Sequence, residues 1–199
     1  MQLIHDYHFA VMTATLSEPV TSSDHSAGPQ DAPVTLVEYG DYECPNCGNA
    51  WPVIKELQQR MGGRLRFVFR NFPQYTVHQH ASVAAQAAEA AAAQGKFWEM
   101  HDLLYQNQLN LETFDLDRYA LKLELEIYRF NTDLSSERFA RRVREDYEGG
   151  QRSGVKRTPT FFINGIQYTG ERTFEAMLPA LESAAASSST SPGTPGEAG

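Results

Sequence analysis

Cys44 and Cys47 are the only cysteines in this 199-residue sequence, separated by Pro45 and Asn46. A C-x-x-C pair is a spacing at which two thiols do redox chemistry. It lies between an apolar run, 34–39, and a segment, 49–60, that reads as a helix. A strand handing two thiols to the first turn of a helix lets the sulfurs face each other, close enough to form a disulfide and break it. The unpaired N–H groups of that turn point at the first sulfur and favour its thiolate, the species that attacks and leaves in disulfide exchange. Buried core thiols and half of a zinc site are the other readings. Zinc takes four ligands, and the one further candidate, His78-Gln79-His80, has an i, i+2 spacing poorly suited to one helical face. Redox work is therefore the favoured reading, with no metal and no external cofactor, and the histidines read as surface or first-turn residues.

Length and composition bound the rest. The chain suffices for one well-cored domain with an insertion, and no apolar stretch reaches the ~20 residues of a membrane span. The net charge of −8 is uneven. Four acids and no Lys or Arg fall in 1–33, and one acid and no base in 183–199, which leaves about −3 for the middle. That excludes a nucleic-acid phosphate track, which needs clustered bases. Residues 1–16 lack the basic start and apolar core of a secretory signal. The expected compartment is the cytoplasm, or the periplasm or exterior if the start site is misassigned.

The elements that position the thiols follow from periodicity. Residues 1–33, rich in Ser, Thr, Asp, Gly and Pro towards their end, read as a flexible arm, and 183–199 as a disordered tail. The run 34–39 reads as a buried strand. The helix after Cys44 carries Pro52, which should bend it, and Gly62-Gly63 stops it. Alternation over 65–71 predicts a second, parallel strand. Four helices are expected over 78–93, 97–108, 114–123 and 135–147. A strand at 161–163, an Asn164-Gly165 turn and an antiparallel return follow, then a helix over 173–185 interrupted by Pro179. The sum is an α/β thioredoxin fold (βαβ, then antiparallel ββα) over 34–182, with an all-helical insertion at about 76–150.

Three separated stretches then appear in order: Glu38-Tyr-Gly-Asp-Tyr-Glu-Cys44-Pro-Asn-Cys47, Phe97-Trp-Glu-Met-His-Asp-Leu-Leu104 and Thr158-Pro-Thr-Phe-Phe-Ile-Asn-Gly165. Together they resemble the DsbA-like branch of thioredoxin-fold disulfide oxidoreductases, over roughly residues 30–182 and neither tail. The resemblance implies an exposed nucleophile at Cys44 and a shielded, resolving thiol at Cys47. It implies that Glu38 lies beneath the site and helps move the Cys47 proton; the competing reading is an edge-strand residue facing solvent. It also implies a cis Thr158-Pro159 loop against the sulfurs, pairing a substrate segment as an added strand and keeping metal off the thiols. Tyr42 and Pro45 are the expected apolar substrate contacts, and Trp98 and His101 are expected to pack.

Residue choice sets the redox bias. Asn46 stands where the strongest oxidants of the family carry histidine, and Asp41 and Glu43 should oppose an anion at Cys44. A helix terminus contributes up to ~1 kcal/mol, under about one pKa unit. The expectation is a thiol less acidic than in the strongest oxidants. Arg157 replaces the usual glycine, and its charge is expected to offset Asp41 and Glu43 in part. The function implied is thiol:disulfide exchange with protein or peptide thiols and disulfides, served by an unidentified redox recycling partner. The rivals are a non-catalytic thioredoxin-like binding module or chaperone, and a glutathione-linked transferase that would not need Cys47.

Overall fold

Strand β2 (Val34–Gly40) occupies the middle of a five-stranded sheet in a computed structural model that describes residues 14–188. Its neighbours are β3 (Leu65–Asn71), parallel, and β4 (Thr160–Ile163), antiparallel. Strands β1 (His25–Ala27) and β5 (Ile166–Tyr168) complete the order β1-β3-β2-β4-β5. Side chains alternate across a strand. Val34 and Leu36 of β2 therefore face one apolar cluster, and Val37 and Tyr39 the other.

Helix α1 (Pro45–Met61) links β2 to β3 and runs without interruption through Pro52. It ends at Gly62, whose φ of 54° suits a residue without a side chain. Its apolar stripe, Ala50, Ile54, Leu57 and Met61, shares a cluster with both cysteines. The insertion holds α2 (Ala81–Ala92), α3 (Phe97–Gln106), α4 (Thr113–Lys122), α5 (Ile127–Leu134) and α6 (Glu137–Arg152). Four of these match the expected helices and α5 is an addition. Asn164 and Gly165, at φ 46° and 83°, make the tight turn between β4 and β5. Helix α7 (Phe174–Ser188) closes the fold and runs past Pro179 into residues expected as tail; 189–199 lie outside the described residues.

The N-terminal segment differs from expectation. Residues 1–13 lie outside the described residues, but 14–33 pack on the domain instead of forming an arm. Thr15 bridges to Ile166, β1 pairs with β3, and Ser17 reaches Ser153. The cause is Arg70, buried in β3. Its Nε and Nη2 donate to the Asp24 carboxylate at 2.7 and 3.0 Å, Nη1 donates to the Glu18 carbonyl and the Tyr39 hydroxyl, and Nη2 donates to the Pro19 carbonyl. Every donor of the guanidinium is thereby used, and three of its partner residues come from this segment.

Burial pushes the Asp24 carboxyl up, and the bond from Arg70, the Thr21 N–H and the charges of Arg70 and Arg142 together outweigh it, so the group stays below its ordinary value. Its stabilisation is present above the unfolded carboxylate range and is lost as pH falls through the lower folded value. Asp24→Ala strands a buried guanidinium and should cost ~3–5 kcal/mol in urea unfolding. The same variant should open residues 14–27 to protease; an unchanged midpoint would show that the ion pair is dispensable.

Candidate active site

Cys44 is the residue at which the chain turns from β2 into α1. Its backbone is extended (φ −75°, ψ 118°), no side chain caps the helix, and Pro45 follows at the first helical position. Proline has no N–H to offer, so the nearest backbone donors are those of Asn46 and Cys47, and both favour the Cys44 thiolate. The Cys44 carbonyl accepts from the N–H of Cys47 at 3.0 Å and of Gly48 at 3.1 Å. Both sulfurs are free thiols here. From the entry to the neighbouring β4 the Thr158–Pro159 loop, with a cis peptide bond, brings the Thr158 carbonyl to accept from Cys44 Sγ at 3.4 Å.

Cys47 is fully buried, as a resolving thiol should be, but Cys44 is only 5% exposed, against the expectation of an open nucleophile. The insertion holds the loop down. Gln108 Nε2 donates to the carbonyls of Tyr42 at 2.8 Å and Cys44 at 2.9 Å. A Cβ at Gly48 would come within 2.0 Å of the Gln108 carboxamide oxygen, so the close approach needs glycine there.

The Cys44 thiol is lowered to about 5. The largest cause is the hydrogen bond from the Cys47 thiol; burial opposes it, and bonds from Thr158 and the first-turn N–H groups add to it. Thr158 Oγ1 is buried and has no hydrogen-bond partner among the described residues, so its proton is available to the thiolate. The sequence argument, which weighed the helix end against Asp41 and Glu43, underestimated the shift because it left out the Cys47 and Thr158 donors. Helix-terminal thiols fall to roughly 3.5–7.5, and this one lies well inside that span.

Asp41 and Glu43, expected to oppose an anion at Cys44, are both held by partners from the start of the insertion. Asp41 accepts from the Glu43 N–H at Oδ1 and the Gln74 N–H at Oδ2, both at 2.8 Å, and His78 Nδ1 lies 2.7 Å from Oδ2. Glu43 accepts from the His80 N–H at 2.6 Å and sits 3.1 Å from His80 Nδ1. Each acid is thus matched by a histidine two residues from the next. Arg157, expected to offset these acids, instead lines a notch with Pro159.

Glu38 lies in the central strand, 2% exposed, which removes the edge-strand reading. It shares the face of Leu36, and its register partners are Phe69 and Phe161. Burial, then the charge of Cys44, lift its carboxyl to about 8, and its Oε1 has no partner among the described residues. Burial, the bond to Cys44 and the charge of Glu38 push the Cys47 thiol well up.

Tyr42, expected to touch substrate, is 1% exposed. It packs on Phe69 and Tyr105, and its hydroxyl meets His101 Nδ1 at 3.1 Å, so it supports the loop from beneath. Pro45 is exposed and borders a cleft of about 470 Å³ with Leu109, Leu111 and the Glu43–His80 pair. Trp98 and His101 pack as expected. The residues missed are His78, His80, Gln108 and Tyr105, whose buried hydroxyl has no partner among the described residues. The matched i, i+2 spacing of Asp41/Glu43 and His78/His80 was a signal; Gln108 and Tyr105 had none.

Comparisons with known proteins agree with this geometry. The family model described as Thioredoxin matches residues 21–183. BdbD from Bacillus subtilis, in its oxidised crystal structure, superposes with a TM-score of 0.76 at 24% identity, covering 87% of this chain and 99% of that one. A thioredoxin-like oxidoreductase from Silicibacter pomeroyi superposes with a TM-score of 0.73 at 23% identity, covering 86% and 95%. At these identities the likeness establishes the fold. Among curated proteins, "Na(+)/H(+) antiporter NhaA 1" of Salinispora arenicola is 49% identical over 161 residues, 81% of this chain and 24% of the relative. "Na(+)/H(+) antiporter NhaA 3" of Salinispora tropica is 47% identical over 169 residues, 85% and 26%. The chain spans about a quarter of the length of these relatives.

The donor set predicts the titration of the reduced protein. Thiolate ultraviolet absorbance should rise by one thiolate through about pH 5, with no second step near neutrality. Cys47→Ala removes the largest stabilising bond and should move that step upward; an unmoved step would assign the acidity elsewhere.

Proposed function

Because the chain belongs to the thioredoxin family and has the DsbA-like fold, we propose that it is a thiol:disulfide oxidoreductase acting on protein or peptide clients through Cys44 and Cys47. The observation that carries the reading is the division of labour between the sulfurs. One thiol is lowered to about 5 at the helix entrance and the other, fully buried, is raised. A structural pair of core thiols has no need of such a split, and perturbed groups of this kind cluster at functional sites.

In the oxidising direction a client thiolate attacks Sγ of Cys44. The Cys44–Cys47 bond breaks, its electron pair leaves on Cys47, and the Glu38 carboxyl, at about 8, is a proton source for it. A second client thiolate then attacks the client sulfur of the mixed disulfide and expels Cys44 as thiolate, a good leaving group because its conjugate thiol is acidic. Reduction of a client disulfide runs the same steps backwards, with Glu38 as the general base for Cys47. In the mixed disulfide Cys44 carries no charge, so one cause of the raised Glu38 value is gone and the carboxylate is more available when needed. Stabilising the Cys44 thiolate stabilises the reduced form and makes the pair oxidising. The absence of histidine at position 46 keeps that bias below the strongest oxidants. The net direction follows from the pair's potential against its compartment.

The antiporter name of the curated relatives describes chains about four times as long as the matched region. No helix among the described residues is long and apolar enough to cross a membrane, and ion transport is not assigned to this domain. In those relatives a domain of this kind is joined to a transporter, which makes a membrane protein a candidate client or recycling partner.

Two outcomes test the reading. Cys44→Ser should abolish oxidation of a dithiol peptide, whereas reduced Cys47→Ala, given the peptide in its disulfide form, should accumulate a mixed disulfide at Cys44, with one peptide thiolate released, visible by mass spectrometry. A binding module would show neither the activity in the wild type nor the adduct in the variant, and activity surviving in Cys47→Ala would favour a glutathione-linked transferase. Glu38→Gln should slow resolution of the mixed disulfide by on the order of a hundredfold and remove its pH dependence in stopped-flow. Burial raises the Glu38 value, so the wild type loses stability as pH rises from the unfolded value towards about 8. Reduced Glu38→Gln should therefore gain stability over wild type at the upper end of that window; a slow step insensitive to the substitution would exclude Glu38 as the relay.

A further inference from the structure

Arg157 and Arg172 line a small notch beside the loop that faces the nucleophile. The notch has a volume of about 130 Å³ and is completed by Pro159, Thr160, Tyr168 and Gly170. That is well below the roughly 300–1,000 Å³ of small-molecule sites, which leaves room for one side chain and not for a cofactor. Both arginines are exposed. Neither guanidinium has a hydrogen-bond or ion-pair partner among the described residues. Elsewhere in the chain Arg64, Arg70, Arg142 and Arg152 each sit on a carboxylate. The adjoining charges in sequence, Lys156 and Glu171, cancel, so the notch is positive in a chain whose net charge is −8.

Position gives this charge a use. Thr158, next to Arg157, holds its carbonyl 3.4 Å from Cys44 Sγ. A client segment laid along Thr158 as an added strand advances ~3.3 Å per residue, which carries the neighbours of its cysteine to the notch. We propose that Arg157 and Arg172 form a specificity notch for an Asp or Glu side chain lying within about two residues of the client's reacting cysteine. Guanidinium groups suit this task because their fork matches a carboxylate in two parallel bonds. The inference rests on the exchange reading above and adds the charge of the client; electron transfer stays at the sulfurs.

The test uses the oxidised full-length protein and three dithiol peptides, identical except for Glu, Gln or Lys beside the cysteines, with formation of the peptide disulfide followed by chromatography. The Glu peptide should react roughly fivefold faster than the Gln peptide at low salt, with the Lys peptide slower still, and the rates should converge as salt is added. The Arg157→Glu/Arg172→Glu double variant should invert the order. Arg60→Glu/Lys122→Glu, which changes the net charge equally at exposed sites on α1 and α4, should keep it. Equal rates in the wild type, or the same order in both double variants, would overturn the notch while leaving exchange intact. Oxidation of glutathione faster than any of the peptides would also overturn it, since a small thiol would then be the preferred guest. If no peptide is oxidised at all, the exchange reading falls and the notch falls with it.

Discussion

Two sulfurs and a carboxyl share a water-poor space beneath one helix entrance, and they cannot all be ionised together. Cys44 carries the charge because the donors converge on it: the Cys47 thiol, Thr158 and the first-turn N–H groups. Cys47 and Glu38 hold protons at neutral pH for the complementary reason, that burial and the neighbouring anion raise both. Moving the charge from one sulfur to the other, which is what disulfide exchange requires, then needs proton movement over a short path and little rearrangement of the protein. The ordering of the three groups follows from where strand, helix and cis-proline loop meet.

The surroundings keep that arrangement from being swamped. Two acids within three residues of Cys44 would be expected to destabilise its thiolate, yet Asp41 and Glu43 are bound into the start of the insertion through His78 and His80. Gln108, after α3, ties down the backbone on both sides of Glu43. The insertion therefore does more than enlarge the domain: it binds both acids and restrains the Cys44 loop. Pro45, on the exposed side of that loop, is left beside a cleft that Leu109 and Leu111 share with Glu43, His78 and His80.

Much of this was legible in the sequence because periodicity and turn chemistry report on local structure. The runs at 34–39 and 65–71, the Asn164-Gly165 turn and the C-x-x-C pair all declare themselves, and the fold followed from their order. What failed were features decided by distant partners. Strand β1, His25–Ala27, has no β-branched residue and reads as loop; it is a strand because β3 pairs with it and Arg70 clamps Asp24 beside it. Helix α5 is only eight residues and is capped by Glu126, whose side chain accepts from Tyr128 and Arg129 N–H groups, a cap outside the usual Ser, Thr, Asp and Asn signals. Tyr42 was misassigned because adjacency to a cysteine in sequence says nothing about which way a side chain turns. The acidity of Cys44 was underestimated because the helix end is visible in sequence, whereas a bond from Cys47 or Thr158 requires the folded loop.

The two polar regions of the interior show the same physics used for opposite ends. On the side of β1, buried charge is bound almost completely: Arg70 uses all its donors, and Glu89 and Asp146 meet His25, Asn71 and Arg142. Such a network resists change, because displacing any member strands another in low dielectric. Around the sulfurs the pattern reverses, with Glu38 Oε1, Thr158 Oγ1 and Tyr105 Oη all buried and unpartnered among the described residues. Unpaired buried groups are costly and need an explanation, and here each influences, or is influenced by, the charge on a cysteine. Bonds already made to fixed partners would hold the charge in one place; groups with bonding capacity to spare can follow it from one sulfur to the other.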